Sequence, residues 1–380
     1  MPDTSMRIAS IRTLSFTQPA VPIHAKRFAG AQQIVLTVVR AEDGTEGVSM
    51  ARTHGGQPGE GIANAIRHSI APRVLGRDAR EREAIWHAMT ALEPAGYVPV
   101  FAVSAVDVAL WDLYAKALGQ PLYQLLGGRR DRLRAYASSA AMPTIDDYVA
   151  EAARVVAQGY RGYKLHPFDD PARDIPLCRA VRAAVGPDIA LMLDVAKTYD
   201  LAQSLRVGRV LEELDFTWFE EPLPHHDIEG YAELRRKLSI PIVGAETMAG
   251  HYFATAPYLR ANALDMVLCD VYWKAGITGM LKTAALCEGM GVRVASHHGA
   301  SPLMNWANLH VLCGATNAEW IEVLVPEGGY NFALQAYLGP DTEGLVHAPR
   351  GPGLGVALDW DYIGAHTVPG SDQTVEAGGA

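Results

Sequence analysis

From residue 133 onward, short apolar runs alternate with amphipathic stretches. LRAYASS, GYRGYKLH, IALMLD, FTWFEE, IPIVGAE, LDMVLCD, VRVASHH and EWIEVL have the length and β-branched content of buried strands. Between them, YVAEAARVVAQ, SLRVGRVLEEL and TGMLKTAALCEGMG repeat apolar residues every three or four positions, as helices with one buried face do. Eight such beats predict an α/β fold, a (β/α)8-type barrel of the modified TIM kind over residues 129–345, with irregular last helices. A doubly wound open sheet is the alternative. No glycine-rich phosphate fingerprint follows the first strand, which lowers it.

The first 128 residues follow a different pattern. MRIASIRTLSF and QQIVLTVVRAEDGTEGVSMA alternate with the period of strands, and the second turns back at Asp43-Gly44. GEGIANAIRHSIAPRVLG, REREAIWHAMTAL and VSAVDVALWDLYAKALGQPLYQLLGG then run with helical spacing to a Gly-Gly stop. Strands followed by helices predict a separate α+β capping domain over residues 1–128. The segment 346–380 is expected to pack back on it through PRGPGLGVALDWD, leaving VPGSDQTVEAGGA frayed at the end.

Composition narrows the function classes. The excess of 42 acidic over 33 basic residues, with no Lys/Arg-rich block, argues against nucleic acid as a partner. Cys178, Cys269, Cys287 and Cys313 form no CxxC pair, so neither disulfides nor zinc are expected and the reducing cytoplasm is the default location. No apolar run approaches the ~18 residues of a membrane span. Residues 1–10 also lack the order of an export signal, so no membrane partner is expected. Capped barrels often associate, which makes a homo-oligomer the expectation, through faces the sequence does not reveal.

The candidate chemistry sits at strand ends. IALMLD ends in Asp194, FTWFE in Glu220 and IPIVGAE in Glu246, each 26 residues after the last. One strand plus one helix has that length, so the three carboxylates converge on one face of a barrel. They repel one another unless a cation lies between them, and hard oxygen donors point to Mg²⁺. Helix capping explains one such acid as readily as metal binding does, but explains three in phase poorly. Glu221 is expected to turn away from Glu220, since only one of two neighbours faces inward.

Asp270, His297 and Glu322 close the sixth, seventh and eighth strands. A carboxylate beside His297 orients the imidazole and raises its pKa, giving a general acid/base pair. Glu322 reads either as a ligand hydrogen-bonder or as a strand-end salt bridge. Lys164 and His166, two apart, point the same way from the second strand. A lysine facing a metal has a depressed pKa and suits a base. The opposing readings are a lysine paired with Asp194 or Glu220, and a histidine that only shapes the pocket.

At these residues the chain resembles the enolase superfamily, mandelate racemase-like subgroup, over nearly its whole length. The motifs are K-x-H at 164–166, LMLD at 191–194, FEEP at 219–222, GAE at 244–246, D-x₃-K-A-G-I-T-G from Asp270, ASHH at 295–298 and the closing PGLGVALD. The resemblance implies that Asp194, Glu220 and Glu246 bind Mg²⁺, which holds a substrate carboxylate. It also implies that Asp270–His297 is a dyad on one face, with the strand-two region on the other. The family's common chemistry is removal of the proton α to a carboxylate, giving a metal-stabilised enolate. Two positions depart from the pattern. His166 stands where the second lysine of K-x-K is usual, and Ala196 stands where some acid-sugar dehydratases place a histidine base.

The expected reaction is dehydration of an aldonic or aldaric acid sugar to a 2-keto-3-deoxy acid, a hydro-lyase (carbon–oxygen lyase) reaction. His297 would be the acid and a group at 164–166 the base. Racemisation or epimerisation, cycloisomerisation of a lactone or anhydro-sugar acid, and a non-catalytic metal module are the competing readings. In this family capping residues set specificity. Here His24, Lys26, Arg27, Thr53, His54, Gln57 and Tyr97 are placed to reach the barrel mouth, and Lys26 with Arg27 would suit a second carboxylate.

Overall fold

The computed structural model describes residues 6–19, 31–53, 56–248, 250–299 and 301–378. Two sheets organise them. The first is antiparallel, with strands β1 (Ile8–Gln18), β2 (Gln32–Ala41) and β3 (Glu46–Arg52) joined in order. The β2–β3 hairpin turns where Asp43-Gly44 predicts. Gly44 takes a φ of 87°, Thr45 N–H donates to Asp43 Oδ1 at 2.9 Å, and Ala41 N–H donates to Thr45 O at 2.9 Å. The helix Val100–Ala117 packs on this sheet. The two surfaces approach so closely at Gly47 that a Cβ there would lie 1.9 Å from Ala109 O. Only glycine fits.

The second sheet is the barrel. Its parallel strands are β4 (Arg132–Ser138), β5 (Gly162–Leu165), β6 (Ala190–Asp194), β7 (Trp218–Glu220), β8 (Ile242–Gly244), β9 (Met266–Cys269), β10 (Arg293–Ser296) and β11 (Trp320–Leu324). They hydrogen-bond in the order β10-β9-β8-β7-β6-β5-β4-β11. The ring closes between β10 and β11 through a parallel bridge, Val294–Ala318, and through Glu322 N–H donating to Ser296 Oγ at 3.1 Å. The eight apolar runs read from the sequence coincide with these strands. Predicted helices follow, started by local chemistry: Thr144 and Asp147 form a capping box on Ile145–Ala157, and Asp200 and Gln203 form one on Leu201–Glu213. β11 is followed by the short helix Glu327–Tyr330, and β12 (Leu345–His347) pairs antiparallel with the start of β4.

Alternation along the barrel strands produces two layers. Tyr136, Met192, Trp218, Val243, Met266, Leu268, Ala295 and Trp320 form one buried cluster inside the ring. Met192, Trp218, Ala295 and Trp320 lie two residues before Asp194, Glu220, His297 and Glu322. Strand parity therefore sets an apolar floor directly beneath a polar layer at the strands' C-terminal ends.

The chain end corrects one expectation. Instead of fraying, Gln373–Glu376 forms β13 and pairs antiparallel with β1, Ile11 opposite Val375. Arg12 donates twice to Asp372, both at 2.7 Å, which fastens the segment. The polar run QTVE covers an edge of β1 that would otherwise be unpaired. All four cysteines are free and buried. No helix among the described residues is long and apolar enough to cross a membrane.

Candidate metal-dependent active site

The barrel mouth brings the three spaced acids together. Asp194 and Glu220 are register partners on β6 and β7, and Glu246 follows β8. One carboxylate oxygen from each lies within 4.8 Å of the others, and all three residues are buried. Each is fixed by its surroundings. Ala196 N–H donates to Asp194 Oδ1 at 2.8 Å from a turn in which Ala196 and Lys197 both have positive φ. Trp218, two residues before Glu220 on the same face, donates its indole N–H to Glu220 Oε2 at 2.7 Å. Glu246 Oε2 is sealed from solvent and has no hydrogen-bond partner. Three hard oxygens with an orphaned one among them suit a divalent cation such as Mg²⁺.

Lys164 lies below this set, fully buried. Its Nζ is 2.6 Å from Glu220 Oε1, 2.8 Å from Glu322 Oε1 and 3.7 Å from Asp194 Oδ2. Burial works to lower its pKa, but Glu220 and Glu322 outweigh burial and hold the ammonium well above its ordinary value. The charges nearest Nζ are carboxylates, and they favour the ammonium form. Glu322 has both oxygens occupied, by Lys164 and by the His298 N–H at 2.6 Å, as a strand-end salt bridge would. Burial would raise its pKa, yet Lys164 and His297 bring it down to about 2.

His166 shares the face of Lys164. Its Nδ1 lies 2.6 Å from Ser139 O and its Nε2 lies 3.0 Å from Asp194 Oδ2, so both ring nitrogens face acceptor oxygens. On the opposite flank, His297 Nδ1 meets Asp270 Oδ2 at 2.5 Å, and Asp270 Oδ1 accepts from Trp273 N–H at 2.6 Å. His297 Nε2 is left facing the metal acids, 4.0 Å from Glu246 Oε2. Burial lowers the imidazole, but Glu246 and Asp270 overcome it and raise the pKa to about 9. Its Nε2 is thereby placed to donate a proton into the site. His298 points elsewhere: burial pulls its pKa down to about 3, so it is neutral.

Glu221 takes a positive φ of 45° and stands outside the cluster of three acids. Its partner is Lys197, whose Nζ lies 2.7 Å from Glu221 Oε2 and 3.4 Å from Glu246 Oε1. Sequence reasoning assigned Lys197 no role, and a position three past Asp194 in a turn carries no periodic signal. It also missed Lys274, which donates to Ala245 O and Met248 O, both at 2.8 Å, and so shapes the loop around Glu246. The parity of Trp218 with Glu220 was legible.

The cap candidates fare differently. His24, Lys26, Arg27 and His54 lie outside the described residues. Tyr97 is 92% exposed in a left-handed turn after the helix Leu92–Gly96, with its ring in solvent rather than enclosed at the mouth. Thr53 is buried and its hydroxyl accepts from Gln33 N–H at 3.1 Å.

Comparison with known proteins agrees with this geometry. Residues 147–362 match the model of the enolase C-terminal domain-like family. Residues 9–127 match that of the mandelate racemase/muconate lactonizing enzyme N-terminal domain. The chain is 29% identical to an arabinonate dehydratase of Saccharolobus solfataricus over 86% of its own length and 88% of the relative's. It is 30% identical to a D-galactarolactone cycloisomerase of Agrobacterium fabrum over 88% and 91%. A crystal structure of D-glucarate dehydratase from Agrobacterium tumefaciens complexed with magnesium superposes with a TM-score of 0.85 at 33% identity, covering 96% of this chain and all of that one. The two-sheet architecture, the acid triad at three adjacent strand ends and these matches place the chain in the mandelate racemase-like subgroup of the enolase superfamily.

Proposed function

We propose that the protein is a Mg²⁺-dependent hydro-lyase that dehydrates an acid sugar to a 2-keto-3-deoxy acid. The observation that carries this reading is the Asp270–His297 dyad, its Nε2 facing the acid triad from one flank while His166 stands on the other. Asp194, Glu220 and Glu246 would hold the cation. When bound, Mg²⁺ supplies positive charge that offsets the negative charge developing on the substrate's carboxyl oxygens.

His166 is the candidate base of the strand-two pair: Lys164 Nζ is held by both Glu220 and Glu322, whereas His166 Nε2 faces Asp194 alone and would be released to accept a proton if that carboxylate turned to the cation. The base takes the proton from the carbon α to the carboxylate, and the electron pair moves into the carbon–carbon bond. The bond from the β-carbon to its hydroxyl breaks, and the oxygen leaves as water with a proton from His297 Nε2. The enol product then tautomerises to the 2-keto acid. Asp270 keeps the His297 imidazole in the orientation that presents Nε2. Free buried cysteines fit the cytoplasm as the site of action.

Incubating aldonic and aldaric acids with enzyme and Mg²⁺, and assaying 2-keto acids, tests the reading. At least one acid is expected to turn over. No turnover of any acid, together with no exchange of an α-proton for solvent deuterium, would overturn it. Because a cycloisomerase is among the relatives, a product that keeps its substrate's mass is the outcome that selects that reaction instead. Deuterium in recovered substrate without a keto product selects an epimerase.

A further inference from the structure

The loop that carries His166 is fastened by a buried carboxylate that no step above uses. β5 ends at Leu165, and the chain crosses from His166 to Asp170 before the helix Pro171–Val185 begins. Asp174 lies in the first turn of that helix and is wholly buried. It reaches back over the crossing. Its Oδ1 accepts from Phe168 N–H at 2.8 Å, and its Oδ2 accepts from Asp170 N–H at 2.7 Å. The hydroxyl of Tyr199, in the connection from β6 to the helix Leu201–Glu213, donates to the same Oδ2 at 2.5 Å. Three hydrogen-bond donors, rather than a cation, satisfy this carboxylate.

The rest of the crossing is held from its other side. Tyr148 donates its hydroxyl to His166 O and accepts from Met142 N–H at 3.1 Å. Ser139 Oγ accepts from His166 N–H at 3.1 Å. The Phe168 ring stands edge-on to Tyr148, with ring centres 5.5 Å apart. Tyr199 is buried as well, its ring centre 6.3 Å from that of Phe219, the residue before Glu220. The Asp174–Tyr199 bond therefore ties the loop of His166 to the loop that follows Asp194. His166 Nε2 and Asp194 Oδ2 are 3.0 Å apart across those two loops. Misplacing a reacting group by about 1 Å can cost on the order of 100-fold in rate.

We propose that Asp174 and Tyr199 are positioning residues, which lock the β5 loop to the β6 loop and so fix the His166 imidazole relative to Asp194. The consequence for rate rests on the reading of His166 as the base. Tyr199→Phe removes one donor and keeps the ring. Asp174→Asn is harsher, because its amide sets N–H groups against the donors that the carboxylate accepts.

The test reads the imidazole separately from turnover. NMR of protein carrying isotope-labelled histidine, in EDTA, follows the His166 signal, identified by its loss in His166→Gln. Both variants are expected to move that signal and to leave the His297 signal in place. With Mg²⁺ and the acid sugar that wild type turns over fastest, kcat should fall about 10- to 100-fold, and KM should change less than about threefold. The isotope effect of the α-deuterated substrate should rise, because proton removal then limits the rate. An unmoved His166 signal in both variants would overturn the proposal, as would an unchanged kcat and isotope effect. Equal disturbance of His166, His297 and Mg²⁺ affinity would also overturn it, since the pair would then only hold the fold. If Asp174→Asn does not fold, Tyr199→Phe decides alone. In a wild type that turns over no acid, a His166 signal that still moves by itself would leave the positioning role standing and remove the proposed reaction.

Discussion

Lys164 is enclosed by the carboxylates of Glu220, Glu322 and Asp194, so its charge is the internal counterweight of the barrel mouth. Replacing it by Met leaves those buried acids uncompensated, which costs on the order of 3–5 kcal/mol for a broken buried pair. Urea denaturation of Lys164→Met in EDTA should show that loss. Added Mg²⁺ should recover part of it, because a cation that binds only the folded state stabilises by mass action. A loss below about 1 kcal/mol in EDTA would mean that the ammonium is not the counterweight. His297→Asn is expected to lower kcat by roughly 10² to 10⁴, the range of a general acid, while leaving Mg²⁺ affinity and melting temperature near wild type. Turnover at the wild-type rate would remove His297 from the chemistry. At this scale the sequence revealed residues whose positions repeat with the barrel, Asp194, Glu220, Glu246, Asp270 and His297. Lys197 and Lys274 reach the site from turns, where no period marks them.

The elements meet at a few buried acids. Asp107 lies on the cap helix Val100–Ala117, yet its carboxylate accepts from Thr278 N–H at 2.9 Å and from Thr278 Oγ1 at 2.7 Å. Thr278 is in the first turn of the barrel helix Gly276–Gly289, where free N–H groups and the helix dipole favour an anion. Burial nevertheless pushes the Asp107 pKa up to about 7. A raised carboxyl pKa means that the folded state binds the proton more tightly than the unfolded chain. Stability from this group is therefore fullest below the unfolded value and falls as pH rises towards 7, with a slope of at most ~1.4 kcal/mol per pH unit. Stability of the wild type relative to Asp107→Asn should decline between about pH 4 and pH 7 and level off above. A difference that stays flat across that interval would show that Asp107 is charged throughout. Both strand periodicity and the capping boxes were legible here, since each is written within a few residues. The π-helical turn at Ala65–Ile70 within GEGIANAIRHSIAPRVLG was not, because its apolar spacing reads as ordinary helix.

At the scale of the molecule, the last strand closes the cap. Residues after Val368 look frayed in sequence because QTVE is short and polar, but β13 needs only an edge to pair with, and β1 provides it across more than 350 residues of chain. Truncation after Val368 should lower the melting temperature and promote association through the bared edge of β1, with kcat unchanged because the barrel-mouth ligands are untouched. A truncated protein that melts like wild type would make the strand dispensable. Local pattern thus determined the strands, their parity and the spacing of three acids, because alternation and a 26-residue βα unit are properties of the chain read in order. Tertiary structure alone decided which charges neutralise one another, that Lys164 lies between Glu220 and Glu322, and that Glu322 also accepts from the His298 N–H. Those outcomes depend on burial and on distances between residues far apart in sequence, and neither quantity exists until the ring has closed and the cap has docked on it.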